Sequence, residues 1–254
     1  MPRTVFFLIT FWGYLILIIP SLLLAGLCKA LGNHKASRKL GNYHAHQWGS
    51  LLMKLARSRI TVHGEANLDK DQGALFVGNH QGAFDIPILL ASLGTPIGFV
   101  AKIELSKIPL VSPWMRHIGC AFIDRSNRRQ SLTVMKAAME DLKTGTSLVI
   151  YPEGTRSDSD DIAPFKKGSI AMAVKAGVPI VPFTIRDSWK IRQKGSKIIQ
   201  PAKIDLFLHE RIDTAQLSPE EKDGLIDTIF RTVVDKLHPE ARENALQLLK
   251  NTPE

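Results

Sequence analysis

Apolar positions follow three regimes along the chain. From Thr4 to Cys28 no residue is charged, and the run includes Val5-Phe6-Phe7-Leu8-Ile9 and Leu15-Ile16-Leu17-Ile18-Ile19. As a helix, such a stretch is about 37 Å long, enough to cross a bilayer core of about 30 Å. It is therefore expected to be a membrane helix, with Pro20 as a point where it kinks or re-enters. A secretory leader is the competing reading, but its apolar region is shorter and ends in a small-residue cleavage site that this sequence lacks. From Leu40 to Arg59, Tyr43, Trp48, Leu51, Leu52 and Leu55 alternate with His44, His46, Lys54, Arg57 and Arg59. This predicts a second helix, either lying in the membrane interface or packing its apolar side on the domain that follows.

After Gly64 short apolar runs alternate with helical spacing, the pattern of an α/β domain. Strands are predicted at Ala74–Val77, Ile97–Val100, Cys120–Ile123, Leu148–Tyr151 and Ile180–Phe183, with a further strand at a sheet edge over Ile204–Phe207. Helices are predicted over Ile86–Leu93, around Leu132–Leu142 before Gly145, and over Ile170–Ala176 before Gly177. Ser218-Pro219-Glu220-Glu221 reads as a capping box opening a helix toward Lys236, and a last helix spans Glu240–Lys250. No repeat, low-complexity tract or dividing linker interrupts this region.

Charge sharpens the picture through its placement. The formal charge is +9, yet residues 1–64 hold eight basic residues and no Asp or Glu, leaving 25 basic against 24 acidic residues afterwards. A nearly neutral domain argues against a nucleic-acid partner. Seven of those eight cations follow the apolar run, which places that side, and the rest of the chain, in the cytoplasm. Cys28 and Cys120 stand far apart without metal-like spacing, so neither a disulfide framework nor a metal site is expected.

The candidate chemistry sits where strands end. Asn79-His80-Gln81-Gly82-Ala83-Phe84-Asp85 lies between a strand and a helix. On one helix, residues five apart point about 140° away from each other. They meet only if His80 ends the strand, Gly82 turns the chain and Asp85 opens the helix. Asp85 then steadies the imidazole of His80 as it takes a proton from a hydroxyl. The plainer alternative makes Asp85 a helix cap ahead of Pro87 and His80 a structural residue. Two more strands end in arginines, Phe122-Ile123-Asp124-Arg125 and Tyr151-Pro152-Glu153-Gly154-Thr155-Arg156. Planar guanidinium forks there suit a phosphate, with Gly154 opening the backbone to the same anion and Lys102 as a further cation. The bland reading pairs Arg125 with Asp124 or Asp141, and Arg156 with Asp158, Asp160 or Asp161, on the surface.

Jointly and in order, N-H-x4-D at 79–85, F-I-D-R at 122–125, E-G-T-R at 153–156 and V-P-I-V-P-F at 178–183 are specific. The chain resembles the 1-acylglycerol-3-phosphate acyltransferases of the glycerolipid acyltransferase family, most closely over about Gly64–Arg186. The Phe165-Lys166-Lys167-Gly168 run fits as well, whereas Gly82 stands where many members have serine.

The resemblance implies an α/β acyltransferase domain over 61–254, with a central sheet flanked by helices, after a membrane anchor and interfacial helix over 1–60. It implies His80 as general base with Asp85 as its partner, and acceptor binding by Arg125, Glu153, Gly154, Thr155 and Arg156. It places V-P-I-V-P-F near the acyl donor or in the wall of its site. The expected reaction esterifies the 2-hydroxyl of lysophosphatidic acid at the cytoplasmic membrane. The thioester donor is acyl-CoA or acyl carrier protein, membrane phospholipids are neighbours, and no further cofactor is expected. The rivals are another acceptor, such as glycerol 3-phosphate, a lyso-ornithine lipid or another lysophospholipid, and a non-catalytic protein that binds anionic lipid.

Overall fold

The computed structural model describes residues 2–69 and 71–251. In chain order its elements are α1 (Pro2–Leu17), α2 (Ile19–Ala30), α3 (His34–Ala56), β1 (Arg59–His63), β2 (Leu75–Gly78), α4 (Asp85–Ser92), β3 (Ile97–Lys102), α5 (Val111–His117) and β4 (Ala121–Ile123). They continue with α6 (Arg128–Leu142), β5 (Ser147–Ile150), α7 (Ala171–Ala176), β6 (Ile180–Arg186), β7 (Lys203–Leu208), α8 (Pro219–Asp223), α9 (Leu225–Val234) and α10 (Pro239–Asn251). The strands form one sheet in the order β1-β7-β6-β2-β5-β3-β4, parallel at every pairing except β6 with β7.

Strands β2 and β5 are buried along their whole length, which is why they read as continuous apolar runs rather than alternating ones. Alternate side chains serve opposite cores. Phe76 and Val149 join Leu52, Met53, Ile88 and Leu89 from α3 and α4. Leu75, Val77, Leu148 and Ile150 join α6, α7, α9 and α10 on the other face.

Strand β7 is not at the edge. β1 pairs along it, from Arg59 with Lys203 to His63 with Phe207. The sequence reading carried the preceding helix through to Arg59, but Arg57 turns left-handed (φ 52°) and ends α3, freeing Ile60 and Val62 to alternate as a strand. The helix expected from Ser218 to Lys236 also divides at Gly224 into α8 and α9. Its capping box forms: Glu221 N–H donates to Ser218 Oγ at 3.2 Å and Ser218 N–H to Glu221 Oε2 at 2.7 Å.

The expected single N-terminal membrane helix is two helices bent by 43°, and no single helix among the described residues is long and apolar enough to cross a membrane. Pro20, in the first turn of α2, has no N–H with which to continue the ladder of α1. With 16 residues, α1 is about 24 Å long, short of a hydrocarbon core of about 30 Å. One side of α1 docks on the domain: Phe7 meets the Phe84 ring at 5.7 Å, and Phe11 meets Trp48 edge-on at 5.3 Å. The other side leaves Phe6, Ile9 and Ile16 exposed, and Leu17 and Leu31 are 75% and 76% exposed.

Of the two readings of the second helix, the structure shows packing. α3 buries Leu52, Met53 and Ala56 in the core, while Tyr43 stays exposed. Its close approach to α4 depends on Gly49, where a Cβ would fall 2.8 Å from the Pro87 carbonyl and 2.9 Å from Leu90 Cβ. Gly49→Val should therefore lower unfolding stability by about 1–3 kcal/mol, the usual cost of overpacking. Gly26→Ala, where nothing lies within 4 Å, should leave the melting temperature unchanged or raise it. Thermal unfolding of both detergent-solubilised variants tests this.

Candidate active site

The sequence-predicted residues gather at the carboxyl ends of β2, β3, β4 and β5. From β2 the chain leaves to α4 on one face of the sheet, and from its neighbour β5 it leaves toward α7 on the other. Such a divergence opens a crevice between the two strand ends. Asn79 fastens the end of β2 to β6: its Nδ2 donates to Ile185 O at 2.8 Å and its Oδ1 accepts from Ile185 N–H at 2.8 Å. His80 follows at the crevice. The backbone amides of Ser157 and Asp158, from the loop after β5, hold the carbonyls of His80 and Gln81 at 2.9 and 3.1 Å.

His80 Nδ1 lies 2.6 Å from Asp85 Oδ2. Asp85 is the first helical residue of α4 rather than its cap, a position taken by Phe84 without a side-chain bond. Its carboxylate turns back to the loop, has no solvent exposure and also accepts the Gly82 N–H at 3.0 Å. A carboxylate oxygen accepts, so Nδ1 is the donor in this contact and Nε2 is the ring nitrogen left free of Asp85. The His80 ring stacks on Tyr151 at 3.9 Å and 12°, and Tyr151 meets Phe183 edge-on at 5.9 Å. Burial and the Asp85 charge push the Tyr151 phenol well above its ordinary range.

Glu153 faces inward. Its carboxylate accepts the His80 N–H at 2.6 Å and the Ala163 N–H at 2.9 Å, so it braces the backbone that carries the histidine. Burial pushes its carboxyl up to about 7, against the pull of those two donors. Gly154 adopts φ +78°, and its carbonyl accepts from Arg125 Nη1. A Cβ there would lie 2.7 Å from Lys166 Nζ and 3.9 Å from Arg125 Nη1, which places both cations over this turn.

A cavity of about 1210 Å³ joins these groups. His80, Lys102, Arg125, Gly154, Thr155 and Arg156 line it, whereas Asp85 and Glu153 sit behind its wall. Phe11, Leu15, Ile18, Trp48, Phe99 and Trp114 give it an apolar region. The surface pairings weighed for the arginines do not form: Asp141 pairs with Arg38 and Asp160 accepts from Trp189, and neither Arg125 nor Arg156 has an ion pair among the described residues. The V-P-I-V-P-F block becomes β6 and its approach; Ile180, Val181 and Phe183 are buried, and the block supports the site without lining the cavity.

Sequence reasoning missed Tyr151 as the ring beneath His80, Lys166, Arg128 and Lys194 as further cavity cations, and Ser188 beside Asp85. Lys166 had a signal in the Phe165-Lys166-Lys167-Gly168 run; Ser188, 103 positions from Asp85, had none. Asp160, Asp187 and His238 are spaced to hold a metal ion, with ligand atoms within 4.8 Å of one another. Asp187 is already paired with Lys190 at 2.7 Å and His238 at 3.1 Å, and none of the three lines the cavity.

Comparison with known proteins identifies the family. An acyltransferase family model matches residues 59–186, about half of the chain. The 1-acyl-sn-glycerol-3-phosphate acyltransferase of Borreliella burgdorferi is 33% identical over 183 residues, covering 72% of this chain and 73% of its own. A chloroplastic 1-acyl-sn-glycerol-3-phosphate acyltransferase of Arabidopsis thaliana is 34% identical over 177 residues, 69% of this chain but 49% of its own length. The chain thus spans about half of the chloroplast relative. The crystal structure of the 1-acyl-sn-glycerophosphate acyltransferase PlsC from Thermotoga maritima matches with a TM-score of 0.71 at 28% identity, covering 99% of this chain and 100% of that one. With the family model spanning β1 to β6 and all three strand-end motifs inside it, the chain belongs to the acyltransferase family.

Proposed function

We propose that this acyltransferase moves an acyl group from a thioester to the 2-hydroxyl of 1-acylglycerol 3-phosphate, giving phosphatidic acid. One observation carries the reading: a histidine paired with a buried carboxylate opens onto a cavity that is apolar in one region and cationic in another. Asp85 holds the Nδ1 proton and stabilises the imidazolium. Nε2 accepts the hydroxyl proton as the oxygen attacks the thioester carbonyl. The tetrahedral intermediate collapses to the ester, and the imidazolium protonates the departing thiolate. No acyl-enzyme is required.

In this reading Arg125, Arg156 and Lys166 grip the acceptor phosphate, with the Gly154–Thr155 turn and Lys102 beside them. Glu153 shapes the loop rather than touching substrate. These clustered cations favour a phosphate-bearing acceptor over an uncharged one. The exposed apolar side of α1 and α2 is assigned to the lipid layer, with the basic residues that follow on the cytoplasmic side. Assaying purified protein on lysophosphatidic acid, glycerol 3-phosphate and another lysophospholipid, each with acyl-CoA and with acyl carrier protein thioester, tests acceptor and donor together. Turnover of only a different acceptor would replace this assignment.

Three outcomes are expected. His80→Ala should lose about 10²–10⁴ in turnover while staying folded, and Asp85→Asn should be severely impaired because an amide does not stabilise imidazolium; an active His80→Ala protein would end the mechanism. Arg156→Ala should raise the acceptor KM and spare that of the thioester, with Arg156→Lys rescuing only partly for want of a bidentate fork; an unchanged acceptor KM would remove Arg156 from the site. The third concerns Glu153, whose carboxyl is raised from 4.5 to about 7 on folding. The folded state then binds that proton more tightly, so its contribution to stability is complete below about pH 4.5 and is lost as pH rises to about 7. Denaturant titrations across this window should show a loss of at most about 3 kcal/mol that Glu153→Gln flattens. An identical slope in the variant would place its source elsewhere.

A further inference from the structure

The chain beyond Arg186 lies outside the family match, yet its Ser188 reaches the carboxylate at the centre of the site. Ser188 is 1% exposed, and its hydroxyl donates to Asp85 Oδ1. Asp85 therefore has three donors from three places. His80 and Gly82 hold Oδ2, and Ser188 alone among the hydrogen bonds of the described residues holds Oδ1.

The backbone is arranged to deliver this contact. Asp187 adopts φ +69°, left-handed for a residue with a Cβ, and such strain persists only where surroundings impose it. Lys190 Nζ and His238 Nε2 hold Asp187 Oδ1 at 2.7 and 3.1 Å, His238 coming from the turn between α9 and α10. Trp189 Nε1 donates to Asp160 Oδ1 at 2.9 Å, and the Ser188 N–H donates to Gln81 Oε1 at 3.2 Å. Gln81 thus ties this short turn to the loop that carries His80, Asp160 ties it to the loop after β5 and His238 to the α9–α10 turn, while Lys190 braces Asp187 from within it.

We infer that Ser188 is a positioning residue of the reaction, acting through Asp85: its hydroxyl sets the carboxylate rotamer, so that Oδ2 stays aligned with His80 Nδ1. The inference rests on the reading of His80 and Asp85 as the working pair. Asp85 has no contact with solvent, so water cannot replace a lost donor, and an unsatisfied oxygen leaves the carboxylate free to rotate. That rotation deprives the forming imidazolium of its partner. Ser188 does not line the cavity, so substrate binding should be spared.

The test uses full-length protein in detergent, with acyl thioester and lysophosphatidic acid. Ser188→Ala should lower kcat about 10- to 100-fold, the range for a hydrogen bond to a charged group, with both KM values within about twofold of wild type. Ser188→Cys, which is somewhat larger and donates only weakly, should resemble Ser188→Ala; wild-type kcat in the cysteine variant would mean packing rather than donation and would overturn the inference. Ser188→Ala placed in an Asp85→Asn background should cost little more than Asp85→Asn alone, since both act through one carboxylate. Losses that multiply, or a single variant with raised KM and unchanged kcat, would show Ser188 working independently of Asp85. His80→Ala measured alongside separates the two levels: if it turns over normally the whole pair fails, and if it is inactive while Ser188→Ala is fully active only the role of Ser188 falls.

Discussion

A carboxylate with no exposure to solvent is the constraint around which the rest is organised. Burying such a charge costs several kcal/mol unless donors replace the lost water. Asp85 obtains them from the strand end at His80, from the turn amide at Gly82 and from Ser188 beyond β6. No local segment supplies all three. The sheet has to bring the ends of β2 and β6 side by side, and Asn79 ties these ends together at Ile185. The crossover from β5 to β6 then carries the 153–166 loop past β2, so its buried Glu153 and its cavity-lining cations meet the same histidine.

What the sequence disclosed follows from how locally each feature is encoded. Strands β2 and β5 were legible because burial on both faces leaves unbroken apolar runs, and the turn after β2 was legible because His80 and Asp85 stand five positions apart. Arg125 and Arg156 could be assigned to strand ends, and both line the cavity. The direction of Glu153 could not be read, since only the folded loop shows two backbone amides waiting for its carboxylate. Nor could β1: five residues of alternating exposure become a strand because β7, more than a hundred positions later, offers its edge. The left-handed Arg57 that separates α3 from β1 is a conformation glycine would have announced and arginine conceals.

The N-terminal arm shows the same limit in another form. Hydropathy gave one long apolar run, and length alone argued for a crossing. Hydropathy does not record that the run has two destinations. Phe11, Leu15 and Ile18 point into the cavity wall, while Phe6, Ile9, Ile16 and Leu17 on the same stretch stay exposed. A helix committed to a protein core along one side and bent at Pro20 has an apolar count that overstates what remains for lipid.

This double use bears on how a lipid enzyme meets its substrate. An acyl chain leaving the bilayer for water loses about 0.8 kcal/mol per methylene, a penalty that grows with every carbon exposed. Here α1 gives Phe11 and Leu15 to the apolar lining of the cavity and leaves Phe6, Ile9 and Ile16 exposed on its opposite side. Arg125, Arg156 and Lys166, by contrast, come from the loops after β4 and β5, at the strand ends. On the proposed reading, the division between apolar wall and charged turn within one cavity matches the division between acyl chain and phosphate in one substrate, with His80 among the lining residues.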